Sequence, residues 1–314
     1  MKSLDASATH VIWSADIAPR IHIRPGDTIE VETSLGAGAR YLESATPQDI
    51  RELVAASPGI SMTGPIFVEG AEPGDVLGVE VCGITIGSWG YTAVAPGFGL
   101  LAEDFPEPAF RSWNLSNGHS ARFDDNITVS LRPFLGAVGV APPAGQELPT
   151  IPPSRWGGNI DIQRLTAGAT LYLPIASSGA LLSVGDAHAA QGDGEVCGTA
   201  IETSAGAVLR ITLHKNRLLK YPALHTPAPK PEIRHAGAHI TSGIGENLFT
   251  AAQDAIREMI TWLEEYCGLA PVDAYMLCSV CVDLAICEIV DRPNWVVSAT
   301  LPLSIFSHDP PIGP

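Results

Sequence analysis

The chain has 314 residues with 31 Gly, 26 Pro and only 6% aromatic residues, which favours many short strands and turns over long helices. Its net charge of −16, with only four lysines, argues against nucleic acid and anionic membranes as partners, and it contains no membrane-spanning apolar run. Residues 1–10 lack the apolar core of a signal peptide, so we expect a cytoplasmic protein with free thiols.

The predicted fold class is mainly β (α+β), with layered antiparallel sheets that form a β-sandwich or barrel-like core and a helical element near the C-terminus. We expect a single domain over residues 1–314, β-rich over 1–240 and helix-containing over 241–314. The hydrophobic content of 46% and an aromatic stretch at 87–123 suggest apolar surface covered by a second subunit. A homo-oligomer, most simply a dimer, is therefore expected.

The first third of the chain reads as short strands. Residues 28–33 alternate apolar Ile29 and Val31 with glutamates, which is typical of a half-buried strand. Residues 48–56 form a short candidate helix. Residues 64–82 predict a hairpin, in which a Glu-Pro-Gly-Asp turn at 72–75 separates two apolar runs.

Residues 87–123 show no strong periodicity, and a stretch of this length without clear elements is often a lid, a pocket wall or a subunit contact. Alternatively, it is an ordered surface excursion. Near the C-terminus, residues 247–267 place apolar side chains on one stripe at 3–4 spacing, with Asn247 and Gly268 as caps. We predict one long helix there and a second helix at 272–281.

Residues 181–202 (LLSVGDAHAAQGDGEVCGTAIE) form the segment richest in groups that can carry chemistry. Apolar runs at both ends predict a strand, a glycine-rich loop and a second strand. Between them stand Asp186, His188, Asp193 and Glu195, and Glu202 ends the second run. Carboxylates with one imidazole suit a hard or borderline divalent cation. The alternative is a solvated turn, in which Asp and Gly are common.

Two spacings add to this prediction. If the backbone is extended, Asp186 and His188 project to the same face, and Asn159 with Asp161 form a similar pair in an earlier connection. The second pair could instead cap backbone amides. An apolar flank raises the pKa of a carboxyl group, so Glu202 is a candidate general acid or base unless it simply faces water.

The segment GDAHAAQGDGEVCGTAIE resembles the signature of the acetamidase/formamidase family. Further matching pieces occur in the same order, namely GPIFVEGAEPGDVL at 64–77, FLGAVGVAP at 134–142, PPSRWGGNID at 152–161 and LPLSIF at 301–306. The resemblance implies an amidohydrolase that cleaves short aliphatic amides, of the formamide or acetamide type, to a carboxylate and ammonia through metal-activated water. Rival interpretations are a non-catalytic β protein that binds a metal or small ligand, and an amidase for a larger amide.

The spacings and the resemblance together give the candidate site residues. Asp161, His188 and Asp186 are expected to hold a divalent metal ion, with zinc first and calcium or another ion as alternatives. Glu202 and Glu195 are the candidate general acid and base, with Glu202 preferred. Asn159 and Glu69 are expected to bind the substrate. Residue 156, just before GGNID, is Trp156 where the family usually has His, so that position is either not a ligand or alters the activity.

Overall fold

The computed structural model describes residues 1–35, 49, 59–99, 102, 106–123, 128–192, 195, 197–217, 219, 222–226, 238–269, 282–289 and 295–303. The chain divides into two compact units, Met1–His225 and Thr226–Pro314. The predicted helix at 48–56, apart from position 49, and the predicted helix at 272–281 lie outside the described residues.

The first unit is built from strands. They run as β1 (Lys2–Leu4), β2 (Thr9–His10), β3 (Ile12–Ser14), β4 (Ile21–Ile23), β5 (Thr28–Thr33), β6 (Met62–Val68), β7 (Val76–Val94), β8 (Ala109–Asn114), β9 (Ser120–Arg122), β10 (Thr128–Ser130), β11 (Phe134–Gly139), β12 (Glu147–Pro149), β13 (Gly157–Asn159), β14 (Thr170–Pro174), β15 (Leu182–His188), β16 (Glu202–His214) and β17 (Ala223–His225). Most belong to one large sheet, with β3–β12 and β9–β10 as separate pairs. Nearly all pairings are antiparallel, and β1–β5 and β4–β6 are parallel.

Burial follows the sequence pattern of each strand. In β5, Ile29 and Val31 are fully buried between exposed glutamates, as the alternation predicts. β11 (FLGAVG) is buried at every position, because it is covered on both faces. Its side chains join a core that includes Leu135, Val138 and Leu209. These buried strands form the rigid framework from which the polar site is built.

Strand β15 changes its partner along its length. β11 pairs with it on one side, while the other side pairs first with β6, at Leu182–Ile66, and then with β16, at His188–Glu202. β16 in turn pairs with β7 along its full length. His188 therefore lies where β15 leaves β6 and meets β16, between Phe134 and Glu202 in the same row.

The predicted hairpin at 64–82 is wrong in its pairing. Strands β6 and β7, both wholly described, do not pair with each other: β6 pairs with β2, β4 and β15, whereas β7 pairs with β8, β14 and β16. The turn itself is present, because the Asp75 carboxylate accepts the backbone N–H of Glu72. The same carboxylate also binds Lys215 and Asn216, so it anchors the turn to the end of β16. On either side of this turn, β6 and β7 pair with different strands of the sheet.

The stretch at 87–123 contains more regular structure than the sequence predicts. β7 continues to Val94 and pairs with β8, while β9 pairs with β10. Apolar and polar residues do not alternate at the start of this stretch, because the β7–β16 ladder shifts register between Ile86 and Gly90. Gly87 and Gly90 further obscure the pattern, since they face close backbone or side-chain neighbours instead of presenting a side chain.

The second unit contains the helix α1 (Leu248–Cys267) and the three-stranded sheet β18 (Ala238–Gly245), β19 (Asp283–Glu288) and β20 (Trp295–Pro302). The predicted helix and both of its caps are confirmed. Asn247 accepts the N–H of Thr250 at 3.0 Å, and Gly268 adopts a left-handed conformation at φ 68°. Ala251, Ala255 and Met259 pack with the sheet to form the core of this unit.

The predicted mainly β fold with a C-terminal helix is confirmed. Within the described residues, no helix is long and apolar enough to cross a membrane. The described cysteines, Cys82, Cys197, Cys267 and Cys287, are free thiols.

Candidate active site

His188 is the centre of the candidate site. Its imidazole is 1% exposed and meets the ring of Phe134 edge-on, with 5.0 Å between ring centroids. Its Nδ1 lies 2.8 Å from Oε1 of Gln191. Its Nε2 is buried and has no partner with hydrogen-bond geometry among the described residues. One ring nitrogen is thus engaged by the protein, and the other is available.

Four carboxylates surround this imidazole. Nε2 lies 3.2 Å from Oε2 of Glu202, 3.3 Å from Oδ2 of Asp186 and 3.9 Å from Oε1 of Glu195. Nδ1 lies 3.8 Å from Oδ1 of Asp161. The four acidic side chains are only 11–16% exposed. The structure therefore brings together five of the residues predicted from sequence, with a large excess of negative charge.

Three of the four acids stand on left-handed backbone. Asp161, Asp186 and Glu195 have φ values of 45°, 54° and 45°. Non-glycine residues seldom adopt this conformation, and it is often found at functional sites, where the surrounding structure enforces it. The condition under which Asp186 and His188 were expected to project to one face, an extended backbone, does not hold at Asp186 itself. Its Oδ2 nevertheless lies 3.3 Å from Nε2 of His188.

Gly136 in β11 makes room for two of these acids, and the sequence analysis missed it. A Cβ atom there would lie 2.6 Å from Oδ1 of Asp161 and 2.9 Å from Oδ2 of Asp186. It would also lie 2.8 Å from the backbone oxygen of Asp186. The only signal in the sequence is a glycine inside an otherwise apolar strand, which indicates a close approach without saying to what.

The pKa values reflect this crowding. Burial opposes the charged form of His188, but the carboxylates of Glu202 and Asp186 outweigh it, and its pKa lies well above the ordinary value. Burial raises the pKa of Glu195 well above its usual range, and the Asp161 carboxylate raises it further. Burial also raises the pKa of Glu202, although His188 partly offsets this. In the absence of a bound cation, His188, Glu195 and Glu202 therefore keep their protons at pH values at which the isolated side chains would lose them.

Two overlapping groups of side chains are close enough to share a metal ion. They are Asp161 with Asp186 and His188, and His188 with Glu195 and Glu202, each with its potential ligand atoms within 4.8 Å of one another. Imidazole nitrogen with carboxylate oxygens suits Zn²⁺, and carboxylates alone suit Ca²⁺. The buried Nε2 of His188, for which the described part of the chain provides no hydrogen-bond partner, fits a metal ligand. The residues present therefore fit a divalent cation.

A cavity of about 470 Å³ lies beside the cluster, and Glu195 lines it. This volume is within the usual range for small-molecule sites, about 300–1,000 Å³. Apolar side chains form part of the wall, namely Trp113, Phe123, Val129 and Ile201. Polar groups complete it, including Ser130, Arg132, Gln163 and Gln191. Because Trp113 and Phe123 belong to the stretch at 87–123, that stretch contributes a pocket wall.

The loop between β15 and β16 carries Glu195 and is tied to β7. The Thr199 hydroxyl donates to the backbone oxygen of Ala93 at 2.8 Å and accepts its N–H at 2.9 Å. The Thr92 hydroxyl donates to the backbone oxygen of Ala200 at 2.6 Å. These bonds fix the end of the loop to the long strand β7. Because Thr199 and Ala200 line the cavity, they also fix that part of its wall. Asp193 lies outside the described residues.

The two predicted substrate-binding residues lie in different places. Asn159 ends β13, two residues before Asp161, and its Oδ1 is buried without a hydrogen-bond partner among the described residues. Glu69 follows β6 near the start of β15, the end opposite His188. It pairs with Arg24 at 3.2 Å and is half exposed. The structure therefore does not bring Glu69 to the cluster. Trp156 packs against the hydrophobic core.

Three known proteins resemble this chain over nearly its whole length. A formamidase from Methylophilus methylotrophus is 25% identical, over 96% of this chain and 90% of its own length. The crystal structure of an acetamidase from Bacillus halodurans has a TM-score of 0.76 at 30% identity, covering 97% of this chain and 98% of that one. A gamma lactamase from Delftia acidovorans has a TM-score of 0.68 at 25% identity, covering 96% and 90%.

The sequence profile of the Acetamidase/Formamidase family matches residues 2–148 and 144–308, which together span nearly the whole chain. Within the matched ranges, the GDAHAAQGDGE segment carries Asp186, His188 and Glu195, GGNID carries Asp161, and Glu202 follows a few residues further on. The chain belongs to the acetamidase/formamidase family.

Proposed function

We propose that this protein is an amidohydrolase that cleaves the C–N bond of linear amides to a carboxylate and ammonia at the acidic cluster around His188. The observation that carries the proposal is the convergence of four buried carboxylates on one imidazole, at the edge of a cavity of small-molecule size. Membership of the family supports the same reaction class.

Asp161, Asp186 and His188 are the proposed ligands of a divalent cation, with zinc as the first choice and calcium as the alternative. When bound, such a cation supplies Lewis-acid polarisation of a carbonyl oxygen and a lowered pKa for a water molecule. Nε2 of His188 is the nitrogen we assign to it, because Nδ1 is engaged by Gln191.

Amide hydrolysis also needs a base for the attacking water and an acid for the leaving nitrogen. Glu195 lines the cavity, so we assign it to the substrate side, where it protonates the departing amine. Glu202 is held by the N–H of Ala200 at 2.9 Å and lies against His188, so we assign it to accept the proton of the water. The sequence alone favours Glu202 as the proton donor, whereas this proposal gives that role to Glu195 and makes Glu202 the base.

Asn159 is the proposed substrate-binding residue. Its buried Oδ1 can accept an N–H from the substrate amide, and an unsatisfied buried acceptor is otherwise costly. Glu69 is left out of this proposal because of its distance along β15 from His188.

A larger amide is the second candidate substrate, and the cavity favours it. A volume of about 470 Å³ lined by Trp113, Phe123 and Ile201 exceeds what a formyl or acetyl group can fill. Apolar walls of this kind stabilise a hydrocarbon substituent, by about 0.8 kcal/mol for each buried CH₂ group. Amides with longer aliphatic or aromatic acyl groups are therefore included in the proposed range.

Two measurements test the function together. Purified protein is analysed for bound metal, and ammonia release is followed with formamide, acetamide and a series of longer acyl amides. His188→Ala should lose stoichiometric metal and ammonia release, whereas His225→Ala, at an exposed histidine in β17, should keep both. Wild-type protein that binds metal but releases no ammonia from any amide would favour the non-catalytic interpretation.

The remaining expectations concern assembly and location. A homo-oligomer and a cytoplasmic location stay predictions, motivated by the hydrophobic content and the free thiols. Light scattering at micromolar concentration tests the first, and a monomer mass would contradict it.

A further inference from the structure

Gln191 bridges two elements of the candidate site. It stands three residues after His188, at the start of the loop that leads to β16. Its Oε1 lies 2.8 Å from Nδ1 of His188, and its Nε2 donates to the backbone oxygen of Asp161 at 3.1 Å. One amide side chain thus joins the imidazole to the chain segment that carries a proposed metal ligand.

These two contacts determine which nitrogen of His188 carries a hydrogen. A backbone carbonyl oxygen can only accept, so the NH₂ group of Gln191 must face Asp161. The amide oxygen then faces Nδ1, and an oxygen can only accept there as well. Nδ1 of His188 therefore holds a proton in either charge state of the ring. Nε2 is the nitrogen whose lone pair can be exposed.

The surrounding acids would favour the opposite tautomer. Glu202 and Asp186 place carboxylate oxygens 3.2 Å and 3.3 Å from Nε2, where they attract a proton. A neutral imidazole without a partner at Nδ1 would keep its single hydrogen on Nε2, which prevents that atom from binding a cation. The contact with Gln191 opposes this preference from the other side of the ring.

We infer that Gln191 is a positioning residue that locks His188 in the Nδ1–H form, so that Nε2 offers its lone pair to a divalent cation. The edge-on contact with Phe134 holds the ring plane, and the bond to Asp161 fixes the amide of Gln191 itself. The inference rests on the proposed function, since it concerns the imidazole that we assign to the metal. Groups behind a metal ligand commonly contribute about 10- to 100-fold to metal affinity.

The test uses Zn²⁺ as the probe and needs no substrate. Zn²⁺ affinity of the metal-stripped full-length protein is measured by competition with a chromogenic chelator. Gln191→Leu removes both contacts and should weaken binding by about 10- to 100-fold. Gln146→Leu is the matched control, because Gln146 is exposed and is not among the residues that line the cavity, and it should bind as wild type does.

A second readout separates positioning from simple loss of packing. With ¹⁵N-histidine labelling, the Zn²⁺-loaded protein should show His188 protonated at Nδ1 and bound to zinc through Nε2. Gln191→Glu keeps an acceptor for Nδ1 but loses the donor to Asp161. It should therefore keep the Nδ1–H signal, with affinity between those of wild type and Gln191→Leu.

The outcomes distinguish this inference from the proposed function. Zinc bound through Nε2 in wild type, with unchanged affinity in Gln191→Leu, would overturn the role of Gln191 and leave the metal site standing. Coordination through Nδ1 would overturn the tautomer assignment and with it the role of Gln191, while a metal site at His188 would remain. Wild-type protein that binds no Zn²⁺ would overturn both this inference and the proposed metal site.

Discussion

His188 and Glu202 occupy directly opposite positions on β15 and β16, and Nε2 of the one lies 3.2 Å from Oε2 of the other. This proximity comes from strand register. Opposite residues of an antiparallel pair project to the same face, and a slip of one residue would send them to different faces. The buried ladder around β15 therefore sets the geometry at which the proposed chemistry occurs.

The two glutamates should be essential for turnover. Glu195→Gln and Glu202→Gln each remove one carboxylate and keep its size. We expect the variant at the true acid or base to reduce ammonia release by about 10²–10⁴-fold, the usual contribution of a positioned group. Glu147→Gln, at an exposed position in β12, is the control and should change little. Near-wild-type turnover in both site variants would mean that the proton comes from another residue.

Gly136→Ala should disrupt the site from within the core. The added methyl group would overlap the carboxylates of Asp161 and Asp186, so both must move. We expect loss of metal and of ammonia release, with far-ultraviolet circular dichroism that still reports a β protein. Gly83→Ala in β7 is the control, since a Cβ atom there meets nothing within 4 Å. Full metal content in Gly136→Ala would show that the acids can relax around a side chain.

Asp75 should make stability depend on pH in the acidic range. Burial alone would raise its pKa, but the bonds from Lys215 at 2.5 Å and from the N–H groups of Asn216 and Glu72 lower the pKa below 3.8. A lowered folded pKa means that the stabilisation is complete above the unfolded value and disappears as pH falls through the folded one.

Asp75→Asn should therefore unfold more easily at neutral pH, by about 1–3 kcal/mol in the free energy of unfolding. The difference from wild type should shrink as pH drops below about 4, where the Asp75 carboxylate of the unfolded chain becomes protonated, and should disappear once the folded one does as well. Urea unfolding at a series of pH values measures this, with exposed Asp16→Asn as the control. A difference that stays constant with pH would assign the effect to shape instead of charge.

In the second unit, Gly243 should be needed for packing of α1 on β18. A Cβ atom at Gly243 would overlap the backbone oxygen of Ala251 and lie 2.9 Å from the backbone nitrogen of Ala255. Gly243→Ala should cost about 1–3 kcal/mol, as overpacking usually does. Hydrogen exchange of the α1 amides measures this locally. Gly245→Ala, which meets nothing within 4 Å, should leave α1 protected as in wild type.

The sequence was informative where the signal is local. The helix caps at Asn247 and Gly268 depend on adjacent residues, and both are confirmed. His188, Asp186, Glu195 and Glu202 are also close in sequence, so one segment predicts most of the cluster. Asp161 needed the resemblance, because it reaches the cluster only through the pairing of β13 and β11 with β15.

The missed features depend on contacts that no local pattern encodes. Gly136 matters because Asp161 and Asp186 approach it from other parts of the chain, and Gln191 matters because it also reaches the backbone oxygen of Asp161, 30 residues away in sequence. The predicted pairing of β6 with β7 failed for a related reason, since turn residues predict a reversal but not which strands the two arms then join. Long-range pairing is decided by the whole sheet and not by the turn.

The loop between β15 and β16 has a consequence for laboratory evolution of this protein. It carries Glu195 and also supplies cavity walls through Gln191, Thr199 and Ile201. Substitutions in this loop that widen the cavity should therefore lower turnover at the same time as they broaden substrate range. Phe123 lines the cavity from outside that loop and is 40% exposed, so it is a position at which selectivity can be altered with less disturbance of the reacting groups.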